Sequence, residues 1–95
     1  MRIISQNGNI DLPYEDTVIH TEYFLLEPRV VVAIFKGEKY TLGRYSTGEK
    51  AIKAMKMLRE AWKFEDGIYH GNIIFQFPQD SEIEVQYETK SSKRN

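Results

Sequence analysis

Leu42-Gly43-Arg44-Tyr45-Ser46-Thr47-Gly48-Glu49-Lys50-Ala51 decides the fold, because a strand periodicity of two ends within it and a helical periodicity of 3.6 begins. From Thr47 to about Glu65, Ala51, Met55, Leu58 and Trp62 recur on one helical face with Ala54 and Ala61 beside them, while Lys53, Lys56, Glu60 and Lys63 occupy the other. Ser46 is placed to cap this helix, and Glu49, three residues on, to reach back to the cap's own N–H. Asp66-Gly67 supplies a stop, since glycine accepts the left-handed conformation that ends many helices.

Working outward, Val30 to Phe35 is an unbroken apolar run that reads as a central strand covered on both faces. Gly37 is placed for the first position of a two-residue II′ turn, which returns Tyr40 to Tyr45 antiparallel and pairs Phe35 with Tyr40. Before it, Val18 to Leu26 alternates: Val18, His20, Glu22 and Phe24 point one way, Ile19, Thr21, Tyr23 and Leu25 the other, until Glu27-Pro28 breaks the run. Near the start, Arg2 to Ser5 and Ile10 to Tyr14 flank Asn7-Gly8, the signature of a type I′ hairpin, with Pro13 at the end or edge of its second strand. Asn72 to Pro78 reads as a strand closed by proline, and Ile83 to Tyr87 as a short edge strand or an ordered tail. These patterns predict an α+β domain: an antiparallel sheet of about four or five strands with one amphipathic helix packed on one face. Residues 1–88 make a single globular domain and 89–95, without an apolar residue, a mobile C-terminal tail.

With 95 residues, 41% of them apolar and 28% charged, the chain suits one core. The absence of cysteine excludes a disulfide framework, a thiolate zinc site and a thiol nucleophile. Val30 to Phe35, the longest apolar run, is too short to span a bilayer, and no basic segment leads an apolar one at the start, so the expectation is a cytoplasmic protein without membrane contact. A net charge of −1 hides an uneven distribution: residues 36–63 carry eight basic and three acidic groups, residues 64–88 six acidic and no basic ones.

Catalytic patterns are weak. His20 and His70 are fifty positions apart, and nothing in their spacing brings them to Asp11, Glu15 or Asp16 as a metal site. Glu15-Asp16, and Glu82 with Glu84 on one strand face, are formally paired carboxylates, but acidic loop residues are ordinarily solvated. No serine lies in a nucleophile elbow, and Gly37, Gly43 and Gly48 do not form a phosphate-binding motif. Neither a cofactor nor a metal is expected, and the chain reads as no enzyme.

Two surfaces carry the remaining weight. Lys53, Lys56 and Lys63 on the helix, with Lys36 and Lys39 at a hairpin tip, are candidate nucleic-acid contacts, opposed by Glu38, Glu49 and Glu60 and by a sequence pI of about 6.1. Tyr14, Tyr23, Phe24, Tyr40 and Tyr45 are distributed over strands that one helix cannot cover, which makes them candidate interface residues.

The opening Arg2-Ile3-Ile4-Ser5-Gln6-Asn7-Gly8-Asn9-Ile10-Asp11-Leu12-Pro13-Tyr14-Glu15, followed by Leu42 to Ala51 and a closing Phe75-Gln76-Phe77-Pro78, resembles a group of short uncharacterised proteins of Gram-positive bacteria and their prophages. That resemblance implies a bacterial or phage-derived cytoplasmic accessory protein. The leading functional expectation is a non-enzymatic, self-associating protein-interaction module whose exposed sheet face or edge binds a protein partner. The alternative is a small nucleic-acid-binding regulator that uses the helix lysines and the Lys36/Lys39 tip.

Overall fold

The computed structural model of the chain describes residues 1–64 and 73–85. In order they form β1 (Arg2–Ile4), β2 (Asp11–Pro13), β3 (Val18–Phe24), β4 (Glu27–Phe35), β5 (Glu38–Arg44), α1 (Gly48–Phe64) and β6 (Ile74–Gln76), with 3-10 turns at Tyr14–Asp16 and Asp80–Glu82. The class is α+β, but the strands divide into two three-stranded sheets, ordered β2-β1-β6 and β3-β4-β5, in place of a single sheet of four or five. Pro13 ends β2 and the turn at Tyr14–Asp16 redirects the chain, so the N-terminal hairpin does not continue into β3. Its sheet is completed by β6, which pairs parallel with β1, Ile3 opposite Phe75. A parallel pair needs a long crossover, and everything from β2 to α1 supplies it.

All three hairpin connections differ from the pattern reading. Between β1 and β2 only Gly8 takes a positive φ; its N–H donates to the Ser5 carbonyl at 2.9 Å, so the Asn-Gly pair does not build a I′ turn. Asn7 is held instead by its side chain, whose Oδ1 accepts from Ser5 Oγ and from the Asn9 N–H. Between β4 and β5, Lys36 (φ 51°) and Gly37 (φ 81°) are both left-handed, which makes the turn I′. It pairs Phe35 with Glu38, and Tyr40 falls opposite Ala33. Between β3 and β4 the turn is Leu25-Leu26, one step before Glu27-Pro28. Pro28 falls within β4 at the register shift opposite Tyr23, where a missing N–H is tolerated.

α1 lays Ala51, Ala54 and Leu58 onto Val31 and Ala33 of β4 and Leu42 of β5; Met1, Ile3, Leu12, Phe77 and Ile83 close the core from the other sheet and the C-terminal segment. A register shift sets Val31 opposite Gly43 and Val32 opposite Thr41, which leaves Leu42 as the extra residue of a bulge and turns it inward. β4 is central, but its second face is covered only at Val32; Val30 and Ile34 remain half-exposed there.

The helix starts differently from the expected capping box. Thr47 is the cap, its Oγ1 accepting the Lys50 N–H at 3.2 Å. Ser46 turns to the C-terminal segment, where its N–H and Oγ both donate to the Asp80 carboxylate. Glu27, at the start of β4, accepts the Gly48 N–H at 2.6 Å and so satisfies another unpaired helix donor. The expected stop at Asp66-Gly67 and the expected tail at 89–95 lie outside the described residues.

Candidate functional site

β3 is the least protected strand edge in the described structure. Sheets guard their edges with proline, lysine, short strands or a covering segment, because unpaired N–H and C=O groups are templates for another chain. β2 and β6 are three residues long, and proline lies in or just beyond each. β5 carries Lys39 and Arg44, and its end is occupied by Gln6, whose N–H donates to the Leu42 carbonyl while its side-chain amide pairs with both the N–H and the carbonyl of Arg44. β3 is seven residues, Val-Ile-His-Thr-Glu-Tyr-Phe, without proline, glycine or lysine, and among the described residues it pairs with β4 alone.

The same strand ends in an apolar point. Tyr23 is 73% exposed, Phe24 54%, Leu25 65% and Leu26 92%, and Val18 at the other end of β3 is 62% exposed. Leu25 (φ 55°) and Leu26 (φ 70°) form a I′ turn, whose two central positions favour Asn and Gly because a Cβ there crowds the following carbonyl. Two leucines in that turn are unfavourable both as conformation and as exposed apolar surface.

The outer face of this sheet, away from α1, carries one polar cluster. Lys39 Nζ donates to Glu22 Oε2 at 2.8 Å, and His20 Nε2 lies 3.3 Å from the same oxygen. The Lys39 ammonium, with His20 beside it, holds the Glu22 carboxyl below the usual carboxylate range. Val30, Val32 and Ile34 lie under and around this cluster.

Of the five aromatics expected to share an interface, the structure brings only Tyr23 and Phe24 together on the surface. Tyr45 is 5% exposed and donates its hydroxyl to the Pro78 carbonyl at 2.8 Å; burial pushes its phenol well above the ordinary value. Tyr14 packs against Trp62 with ring centroids 4.9 Å apart and the planes tilted by 41°, and Tyr40 is half-buried on the helix side of β5. The leucines that complete the tip were not among the expected residues. Their signal was faint: a strand alternation that runs into Leu25-Leu26 directly before Glu27-Pro28.

The five candidate lysines do not form one surface. Lys39 is paired with Glu22 on the face opposite the helix, and Lys36 sits in the turn with Nζ 5.4 Å from the Phe35 ring centroid. Lys53 donates to the Glu84 carbonyl, while Lys56 and Lys63 are exposed on α1. Lys53 and Lys56 line a surface groove of about 630 Å³ with Met57, Glu60, Ala61 and Phe75, where the glutamate offsets one of the two charges.

No group of three side chains able to hold a metal converges among the described residues, and His70 lies outside them. Glu15 accepts from the Met1 amino group, and Glu82 lies in a 3-10 turn, bonded back to the Gln79 N–H, so it shares no strand face with Glu84. No described helix is long and apolar enough to cross a membrane. Comparison of the chain with protein-family models, with curated proteins and with solved structures finds no match.

Proposed function

We propose that the protein is a non-enzymatic, cytoplasmic protein-interaction module of bacterial or prophage origin whose binding element is β3 together with the Tyr23–Leu26 tip. The observation that carries this is the tip itself: four consecutive exposed apolar residues at the end of an unguarded strand, two of them in a turn conformation that disfavours their residue type. Surfaces that oppose stability are retained where they bind something.

The test separates binding from folding. Replacing Leu25-Leu26 by Asn-Gly suits the I′ turn and should raise stability in urea melts by about 1 kcal/mol or more, while removing the apolar point. A photoreactive phenylalanine analogue at Phe24 should then give a discrete protein adduct in cells that disappears in the Asn-Gly background. The same group at Ile52, which is 51% exposed on α1, should give none. No adduct from Phe24, or the same adducts from both positions, overturns the proposal.

A further inference from the structure

Resting on the reading of β3 as the binding edge, we infer that its occupant is β3 of a second copy, paired antiparallel about a two-fold axis at Thr21. The side-chain order of the strand points to this register. With Thr21 opposite its own equivalent, His20 meets the second copy's Glu22, Ile19 meets its Tyr23 and Val18 meets its Phe24. Each is a favourable cross-strand combination: threonine with threonine, an imidazole with a carboxylate it can hydrogen-bond, an aromatic with a β-branched side chain, and a second such pair. The two most exposed apolar ends of the outer face, Val18 and Phe24, cover one another.

Neighbouring registers lack this match. Centring the axis on His20 sets Val18 against Glu22, and centring it on Glu22 apposes two glutamates. A parallel pairing in register also places Glu22 beside Glu22. A shift by one residue in either direction therefore loses the complementarity, as expected where a register is specified.

The pairing joins two three-stranded sheets into one of six, in the order β5-β4-β3 and then β3-β4-β5 of the second copy, with both helices on the same side. It is isologous and closed, so each exposed edge satisfies the other and no further copy can add.

Sedimentation equilibrium of the full chain over a concentration series tests the register. The wild-type protein should dimerise reversibly. V18K/F24K sets lysine opposite lysine at both ends of the pairing and should weaken the dimer by about tenfold or more. V18K/F24E sets lysine opposite glutamate at the same two exposed positions and should restore it. Circular dichroism on both variants verifies that the domain is folded. A wild-type chain that stays monomeric, or a dimer indifferent to the charge pattern, overturns the inference. In that case a Phe24 adduct with a different protein leaves the interaction module standing with another partner, whereas no adduct removes both readings.

Discussion

Leu25 and Leu26 hold left-handed backbone conformations at a two-residue turn, and Thr47 and Ser46 divide a task that the sequence pattern assigns to one of them. A capping side chain must lie three residues before a free helix N–H with the backbone extended, and both hydroxyls come close to that condition. The difference is Asp80, which holds the Ser46 N–H at 2.7 Å and so moves the first helical turn one residue along, leaving Thr47 to accept from Lys50. Thr47→Ala should accordingly cost about 0.5–2 kcal/mol. Ser46→Ala should cost less, because the Asp80 bond to its N–H survives and only the exposed hydroxyl contact is lost. Urea midpoints of the two variants check the order; Ser46→Ala as the more damaging change would return the cap to Ser46.

At the scale of elements, the junction of β4 with α1 sets how the helix lies on its sheet. Gly48 is buried against Pro28, and a Cβ added to it would lie 2.8 Å from Pro28 Cδ and 3.3 Å from Glu27 Cβ. The proline ring cannot swing away as a flexible side chain would, and Glu27 is fixed by its bond to the Gly48 N–H and by Arg29 at 3.1 Å. Gly48→Ala at this first helical position gains less than the about 1 kcal/mol that the change brings in a helix interior, while forcing helix and strand apart should cost about 1–3 kcal/mol of overpacking. The net expectation is a lower urea midpoint, and a raised one would show that the helix can shift without loss. The three strands β3, β4 and β5, the helix and its apolar stripe were legible in the sequence because their periodicities extend over seven residues or more. β6 was also expected, but its parallel pairing with β1 was not, since three residues fix neither direction nor partner.

Across the whole molecule, the C-terminal segment is fastened to the helix start by Asp80. Its carboxylate takes the Ser46 N–H and hydroxyl and the Lys50 ammonium, which together hold it below the usual carboxylate range, chiefly through the backbone N–H. Glu27, through the Gly48 N–H and then Arg29, and Glu22, through Lys39 and then His20, are lowered in the same direction. A carboxyl whose folded value lies below its unfolded value binds fewer protons in the native state. Its stabilisation is therefore complete above the ordinary carboxylate values of about 3.9–4.3 and is lost as pH falls through the lowered folded values. Urea midpoints should be flat near neutrality and fall below about pH 4. Asp80→Asn should start lower at neutral pH and fall less steeply in acid; an acid limb as steep as that of the wild type would remove Asp80 from the linkage.

By itself, the sequence determined the class of fold, the long strands, the apolar face of the helix and the absence of thiol chemistry, because each follows from local spacing or from residue types that must be present. Tertiary structure decided the rest. It drew Tyr45 and Tyr14 out of the expected interface into packing with Pro78 and Trp62. It set Lys39 on the far side of the sheet from the helix lysines, covered the end of β5 with Gln6, and left β3 open with its leucine tip. Those outcomes depend on which segments meet across tens of residues, and side-chain spacing along a chain carries no record of the distance between surfaces once they pack.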